Sequence, residues 1–221
     1  MAPGVSRARV AVLASGGGSN LQALLDAAEG DAAFHIVQVI VNRPDAYALE
    51  RARHAAVPSA LVDHGTFAGR EAFEARLQAV LDAAEAEWVC LAGFMRVLTA
   101  GFVERWHDRM LNVHPSLLPA FKGLHTHRRV LEAGVRITGC TVHVVRPELD
   151  AGPIVVQAAV PVLDGDDEAR LAARVLAMEH RAYPLALELL TSGRAAVAGE
   201  CVRLLAPPAG VPPGLLWPER G

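Results

Sequence analysis

Residues 8–30 read ARVAVLASGGGSNLQALLDAAEG, and the order of apolar run, glycine turn and spaced leucines in them decides the fold class. Residues 8–14 are continuously apolar and of strand length, which suits a strand covered on both faces in a parallel sheet. Gly16, Gly17 and Gly18 predict a turn with close backbone approach. Leu21, Leu24 and Leu25 then mark a helix that Ser19 or Asn20 could cap. A helix N-terminus directly after a strand presents free N–H groups, an anion site used most often for phosphate. The dinucleotide pattern G-x-G-x-x-G fails because Leu21 occupies its third glycine position. No Gly-Lys-Ser/Thr follows, so the P-loop pattern fails too. A phosphate monoester is the ligand these residues favour, against the alternative of a glycine turn that only packs a helix on a sheet.

Working outward, HIVQVIV (35–41) predicts a second strand, ending in Asn42-Arg43 without the acidic residue that would hold a ribose. PDAYALERARHAA (44–56) predicts a helix with Pro44 at its start and His54 near its end. A short strand at 57–62 and an amphipathic helix at 69–87 follow, the latter with Phe73, Leu77, Val80 and Leu81 on one face. Arg70 in its first turn reads as a solvated charge. WVCLAGFMRVL (88–98) is a buried strand running into a loop, where Arg96 either snorkels or meets an anionic ligand. Strand and helix alternate, which predicts a doubly wound, mostly parallel α/β sheet flanked by helices. Ligands of such sheets lie beyond the carboxyl ends of the strands.

At one such end stands LNVHPSLLP (111–119). Asn112 and His114 are two apart and so share one face of a strand that Pro115 stops. An amide donor beside an imidazole suits acyl chemistry, in which one stabilises an oxyanion and the other moves a proton. The competing reading is a buried Asn-His turn that only ties off backbone groups. A helix is expected from His125 to Ala133, ended by Gly134. His125 and His127 lack the spacing and the carboxylate of a zinc site, so no metal is expected. ITGCTVHVV (137–145) alternates as a strand in which His143 either faces the site or, the favoured reading, is a hydrogen-bonded core histidine. The loop R-P-E-L-D-A-G-P (146–153) carries Asp150, either a partner that orients His114 and favours its charged form, or an Asp bonded to its own turn. Residues 166–192 form the longest helical pattern, opening on Asp166, Asp167 and Glu168, with Glu179 and His180 read as surface charges.

The chain of 221 residues, 52% hydrophobic, is long enough for a sizeable core. It reads as a single domain, 1–221, with its core at 8–192 and a Pro/Gly-rich tail at 193–221 holding at most one edge strand near 195–204. A net charge of -3 gives no electrostatic case for nucleic acid or a membrane. The apolar run at Val10–Ala14 is too short for a signal peptide, and later runs are broken by charge. Three scattered cysteines form no metal pattern. A cytoplasmic protein is expected.

SGGGSNLQ (15–22), LAGFMRVL (91–98), NVHPSLLP (112–119), GLHTH (123–127) and ELDAGPIV (148–155), in this order, resemble the glycinamide ribonucleotide formyltransferase family. The resemblance spans about residues 8–192. It implies transfer of the formyl group of 10-formyltetrahydrofolate, the co-substrate, to the amine of 5-phosphoribosylglycinamide in purine biosynthesis, without a metal. Asn112 would then stabilise the oxyanion, His114 would be the general acid/base, and Asp150 would orient His114 and raise its pKa. Gly18, Ser19 and Asn20 match the phosphate loop, Pro115 lies beside the substrate, and Glu179 matches the acidic residue at the ribose. Arg70, Met95, Arg96, Val97 and Leu98, with Arg146, Pro147, Glu148, Leu149 and Asp150, match positions that hold the folate. Leu176, Ala177 and Met178 depart from the polar side chains usual near the phosphate. Formyltetrahydrofolate hydrolases and methionyl-tRNA formyltransferases share the Asn-x-His…Asp pattern but carry extra domains for which this chain has no room. A non-catalytic phosphate-sugar binding module is the rival of another class, and monomer or homodimer stays open.

Overall fold

A computed structural model of the protein describes residues 7–205. The start of the leader-like opening (1–6) and the proline-rich part of the tail (206–221) lie outside the described residues. The elements run β1 (Ala8–Ala14), α1 (Ser19–Ala27), β2 (Phe34–Val41), α2 (Ala48–His54), β3 (Ser59–Leu61), α3 (Arg70–Ala83) and β4 (Trp88–Leu91). They continue with α4 (Ala100–Arg105), β5 (Met110–His114), α5 (Thr126–Glu132), β6 (Ile137–Val144), β7 (Ile154–Pro161), α6 (Glu168–Thr191), β8 (Ala195–Ala198) and β9 (Cys201–Leu204). Seven strands form one sheet in the order β3-β2-β1-β4-β5-β6-β7. The strands from β3 to β5 are parallel, and β6 and β7 pair antiparallel at one edge. The expected doubly wound sheet is therefore present, mostly parallel and flanked by helices.

β1 explains why the sheet is covered on both sides. Val10, Val12 and Ala14 point into a core shared with Leu21 and Leu24 of α1 and with Leu171, Val175, Tyr183 and Leu187 of α6. Ala11 and Leu13 point the other way, into a core with Phe73, Leu77 and Leu81 of α3, Phe102 of α4, and Trp106. Each fully buried Leu of this kind contributes about 1.5–3 kcal/mol relative to exposure. Tyr183 reaches the carbonyls of Leu91 (3.2 Å) and Leu111 (3.0 Å), so α6 is tied to the ends of β4 and β5 by a polar contact inside the apolar layer.

The structure corrects several boundaries. The helix expected from Pro44 begins at Ala48. Pro44 lies in a turn closed by Ala46 N–H to the Arg43 carbonyl (3.3 Å) and by the Arg43–Asp45 ion pair (2.9 Å). The tail holds two strands rather than one, paired as a hairpin across Gly199-Glu200. Gly199 takes φ 64° there, a conformation open to glycine at the start of a tight hairpin turn. The short α4 was not read from sequence, because six residues carry too little periodicity. Its start is set by Thr99, whose hydroxyl accepts the Phe102 N–H and whose own N–H donates to Glu74 (2.7 Å). Among the described residues no helix is long and apolar enough to cross a membrane.

Candidate active site

The strand order reverses between β1 and β4, so the loops after these strands leave in opposite directions and open a crevice at their carboxyl ends. The glycine loop after β1, the segment 92–99 after β4 and the end of β5 border this crevice.

Gly18 is the N-cap of α1, left-handed at φ 69°, and no side chain caps the helix, which overturns the expected Ser19 or Asn20 cap. A Cβ at Gly18 would stand 3.0 Å from Ala48 Cβ, so both backbone conformation and space require glycine. Gln22 N–H donates to the Gly18 carbonyl (2.9 Å), which leaves the N–H groups of the first turn pointing out of the helix for an anion. Gly16 and Gly17 are held from the α2 side: Ala48 N–H donates to Gly16 O (3.1 Å) and Arg51 Nε to Gly17 O (2.8 Å). Asn20 turns inward instead and donates to Glu179 (2.7 Å). Glu179 is buried, against the surface reading, and burial pushes its carboxyl above the usual range while the Asn20 bond opposes that shift. The Asn20 side-chain oxygen is buried with no partner among the described residues, an acceptor placed for a hydroxyl or amine.

β5 delivers Asn112 and His114 to one face, and β6 answers across the pair. Asn112 lies opposite His143, and His114 opposite Thr141. His143 Nδ1 donates to the Val144 carbonyl (3.0 Å), so its Nε2 is the acceptor that receives the Asn112 amide N–H (3.2 Å). Burial holds the His143 imidazole below its ordinary pKa, consistent with a neutral ring in that role. His143 is thus buried and hydrogen-bonded as expected, and its partner Asn112 is set by the β5–β6 register. The signal available in the sequence was the T-x-H alternation at 141 and 143.

Asp150 comes from the loop between β6 and β7 and is buried beside His114, with Oδ2 3.4 Å from His114 Nδ1 and Oδ1 3.9 Å from His143 Nε2. It adopts φ 49° and accepts the Gly123 N–H (2.8 Å). The other His114 nitrogen, Nε2, donates to the Phe121 carbonyl (2.9 Å). The segment after Pro115 that carries this carbonyl is fixed by Thr141, whose hydroxyl donates to Ser116 O (2.7 Å) and accepts the Leu118 N–H (3.0 Å). Gln157 supports both, through Leu118 O (2.9 Å) and Thr141 Oγ1 (3.0 Å). Ser116, Thr141 and Gln157 were absent from the sequence-based set, for they matter only through contacts made by folding.

The residues expected to hold a folate divide into two groups. Met95 (73% exposed), Val97 (63%) and Leu149 (58%) present apolar side chains to solvent on the loops after β4 and β6. Leu98 packs against the α3 side, and the Arg96 guanidinium lies over the Phe73 ring at 5.8 Å, the snorkelling alternative. Arg70 is exposed at the first residue of α3. Pro147 is exposed, and Glu148 pairs with Lys122 (3.6 Å). Arg146 is otherwise engaged: its guanidinium meets Asp108 (2.7 Å) and Glu200 (3.3 Å) and serves as an anchor for the loop's start. His125 caps α5 in a left-handed conformation and His127 is half-buried. Among the described residues no group of three or more His, Cys, Asp or Glu is placed to hold a metal.

Comparison with known proteins identifies the family. The sequence model of the formyl transferase family matches residues 8–187. The chain is 45% identical to phosphoribosylglycinamide formyltransferase of Escherichia coli strain K12, covering 84% of this chain and 88% of that protein. It is 50% identical over 197 residues to the trifunctional purine biosynthetic protein adenosine-3 of Drosophila melanogaster, of which it spans 15%. The crystal structure of glycinamide ribonucleotide transformylase 1 from Symbiobacterium toebii superposes with TM-score 0.88 at 48% identity, covering 90% of this chain and 95% of that one. The chain belongs to the formyl transferase family, within its phosphoribosylglycinamide formyltransferase group.

Proposed function

We propose that this chain transfers the formyl group of 10-formyltetrahydrofolate to the amine of 5-phosphoribosylglycinamide, a step of purine biosynthesis. The observation that carries the reading is the meeting of Asn112, His114 and Asp150 at the end of β5, with His114 and Asp150 3.4 Å apart and buried together. The folate supplies the formyl group when bound. The exposed apolar side chains of Met95, Val97 and Leu149 suit a flat ring system that would cover them.

Each residue then has a distinct task. The N–H groups at Gly18, Ser19 and Asn20 hold the phosphate, and Glu179 with the unpartnered Asn20 oxygen receives ribose hydroxyls. Fixing the substrate at that end places its amine toward His114 and converts an encounter in solution into an oriented approach. The Asn112 amide, with one N–H committed to His143, turns its other toward the oxygen on which negative charge develops. A donor prepared in this way is worth about a hundredfold or more in rate. Phe121 O fixes the His114 ring through Nε2. Nδ1 takes the proton that the attacking amine loses and passes it to the departing folate nitrogen, with the Asp150 carboxylate 3.4 Å away stabilising the imidazolium in between. We place the reaction in the cytoplasm, which suits the free thiols of Cys90, Cys140 and Cys201.

The test is turnover with 10-formyltetrahydrofolate, with and without glycinamide ribonucleotide. Tetrahydrofolate formed only in the presence of the amine is the expected result. Release at equal rate without it would make the protein a hydrolase.

A further inference from the structure

The two loops that border the crevice are joined by one residue. Ser15, at the end of β1, is 6% exposed, and both of its polar groups bond to the segment after β4. Its N–H donates to the Gly93 carbonyl (3.2 Å), and its hydroxyl oxygen accepts the Met95 N–H (2.8 Å). The next residue, Gly16, begins the glycine loop, which is fixed from its far side by the bonds of Gly16 and Gly17 to α2 and by the close packing of Gly18 on Ala48. The segment that carries Met95 and Val97 is held at its other end by Thr99 on Glu74 (2.7 Å). Between those ends Met95 and Val97 are exposed while Phe94, Arg96 and Leu98 turn toward the α3 side, and the Ser15 hydroxyl ties the Met95 backbone to the end of β1.

We propose that Ser15 is a positioning residue that couples the two substrate loops: it holds the apolar folate-side loop in register with the phosphate loop, so that occupying either orders the other. The inference rests on the functional reading above, which assigns one ligand to each loop. Coupling of this kind is reciprocal, since each ligand must change the other's affinity by the same factor.

The experiment is calorimetric titration of glycinamide ribonucleotide into the full chain, alone and in saturating tetrahydrofolate, for wild type, Ser15→Ala and Ser15→Thr. Wild type should bind the ribonucleotide about fivefold more tightly with tetrahydrofolate present, at the low end of typical couplings. Ser15→Ala should bring that ratio within about twofold of unity and lower kcat about tenfold, while each ligand alone binds as in wild type. Ser15→Thr keeps the hydroxyl and should restore the ratio. A purely structural role would lower the melting temperature of Ser15→Ala and leave the ratio intact. Retention of the wild-type ratio in Ser15→Ala, or a ratio of unity in wild type, would overturn the proposal. Failure of wild type to bind the ribonucleotide at all would instead sink the functional reading, and Ser15's role with it.

Discussion

The glycine loop at 15–20 and the β6–β7 loop at 146–153 meet at the same crevice but are held in different ways. The first is held mainly by its backbone: the Gly16 and Gly17 carbonyls accept from α2, and the Ser15 N–H donates to Gly93 O. The second is built from side chains and close packing. Arg146 is pinned by Asp108 and Glu200, Asp150 by Gly123 N–H, and Gly152 by contact with the Val144 carbonyl. A backbone loop tolerates changes in neighbouring side chains, whereas the side-chain loop depends on partners from four other segments. On the proposed function, binding falls to the local device and proton movement to the long-range one.

The sharpest way to break the contrast is at Asp150. Asp150→Ala should lower kcat by about a hundredfold or more while leaving ribonucleotide affinity nearly unchanged, since only the catalytic side of the crevice is touched. Near wild-type turnover in Asp150→Asn would remove the assigned role of the carboxylate. Gly152→Ala comes next. A Cβ there would stand 1.8 Å from the Val144 carbonyl oxygen, so the backbone two residues from Asp150 must shift. Overpacking of this sort costs about 1–3 kcal/mol, and kcat should fall about tenfold together with the melting temperature, whereas unchanged kcat would mean that packing does not place Asp150.

On the other side, Gly18→Ala meets both a left-handed backbone and Ala48 at 3.0 Å. It should raise KM for the ribonucleotide about tenfold, with kcat at saturation close to wild type, if the loop acts in binding. The smallest effect is expected at Glu179→Gln, where KM rises only several-fold. Stability provides a second readout at that position. Burial raises the Glu179 pKa, so the folded chain binds its proton more tightly than the unfolded chain does. Its contribution is therefore favourable below the ordinary glutamate value and is lost as pH rises through the folded value. Glu179→Gln removes that dependence. Its melting temperature should exceed wild type's by a few degrees at about pH 7 and converge with it near about pH 4. Parallel curves across that range would show that the buried carboxyl carries no such cost.

Those predictions also mark what was legible in the sequence. The uninterrupted apolar run of residues 8–14, the three glycines and the spaced leucines were enough for strand, glycine turn and helix, because each is a local consequence of covalent geometry and burial period. The alternation of elements gave the sheet class, and the two-residue spacing of Asn112 and His114 put them on one face. Where a single residue had to be placed by something remote, the residue type misled. Glu179 read as a surface charge and is buried on Asn20, whereas His143 is the buried, hydrogen-bonded histidine expected, with a partner, Asn112, that the sequence did not name. Arg146 is matched to the folate only by the resemblance, and its guanidinium pairs with Asp108 and Glu200, partners that the sequence did not name.

By itself the sequence determined the parallel α/β frame, the glycine turn and the pair on β5, since these follow from periodicity, glycine freedom and strand alternation within short stretches. Only the tertiary structure decided which polar groups share the buried volume at the crevice. Antiparallel pairing of β5 with β6 sets His143 opposite Asn112, and the fold of the β6–β7 loop brings Asp150 to His114, 36 positions away in the chain. The physical reason is that a buried polar side chain must find its partner in space, and the chain's own order does not record which one it will meet.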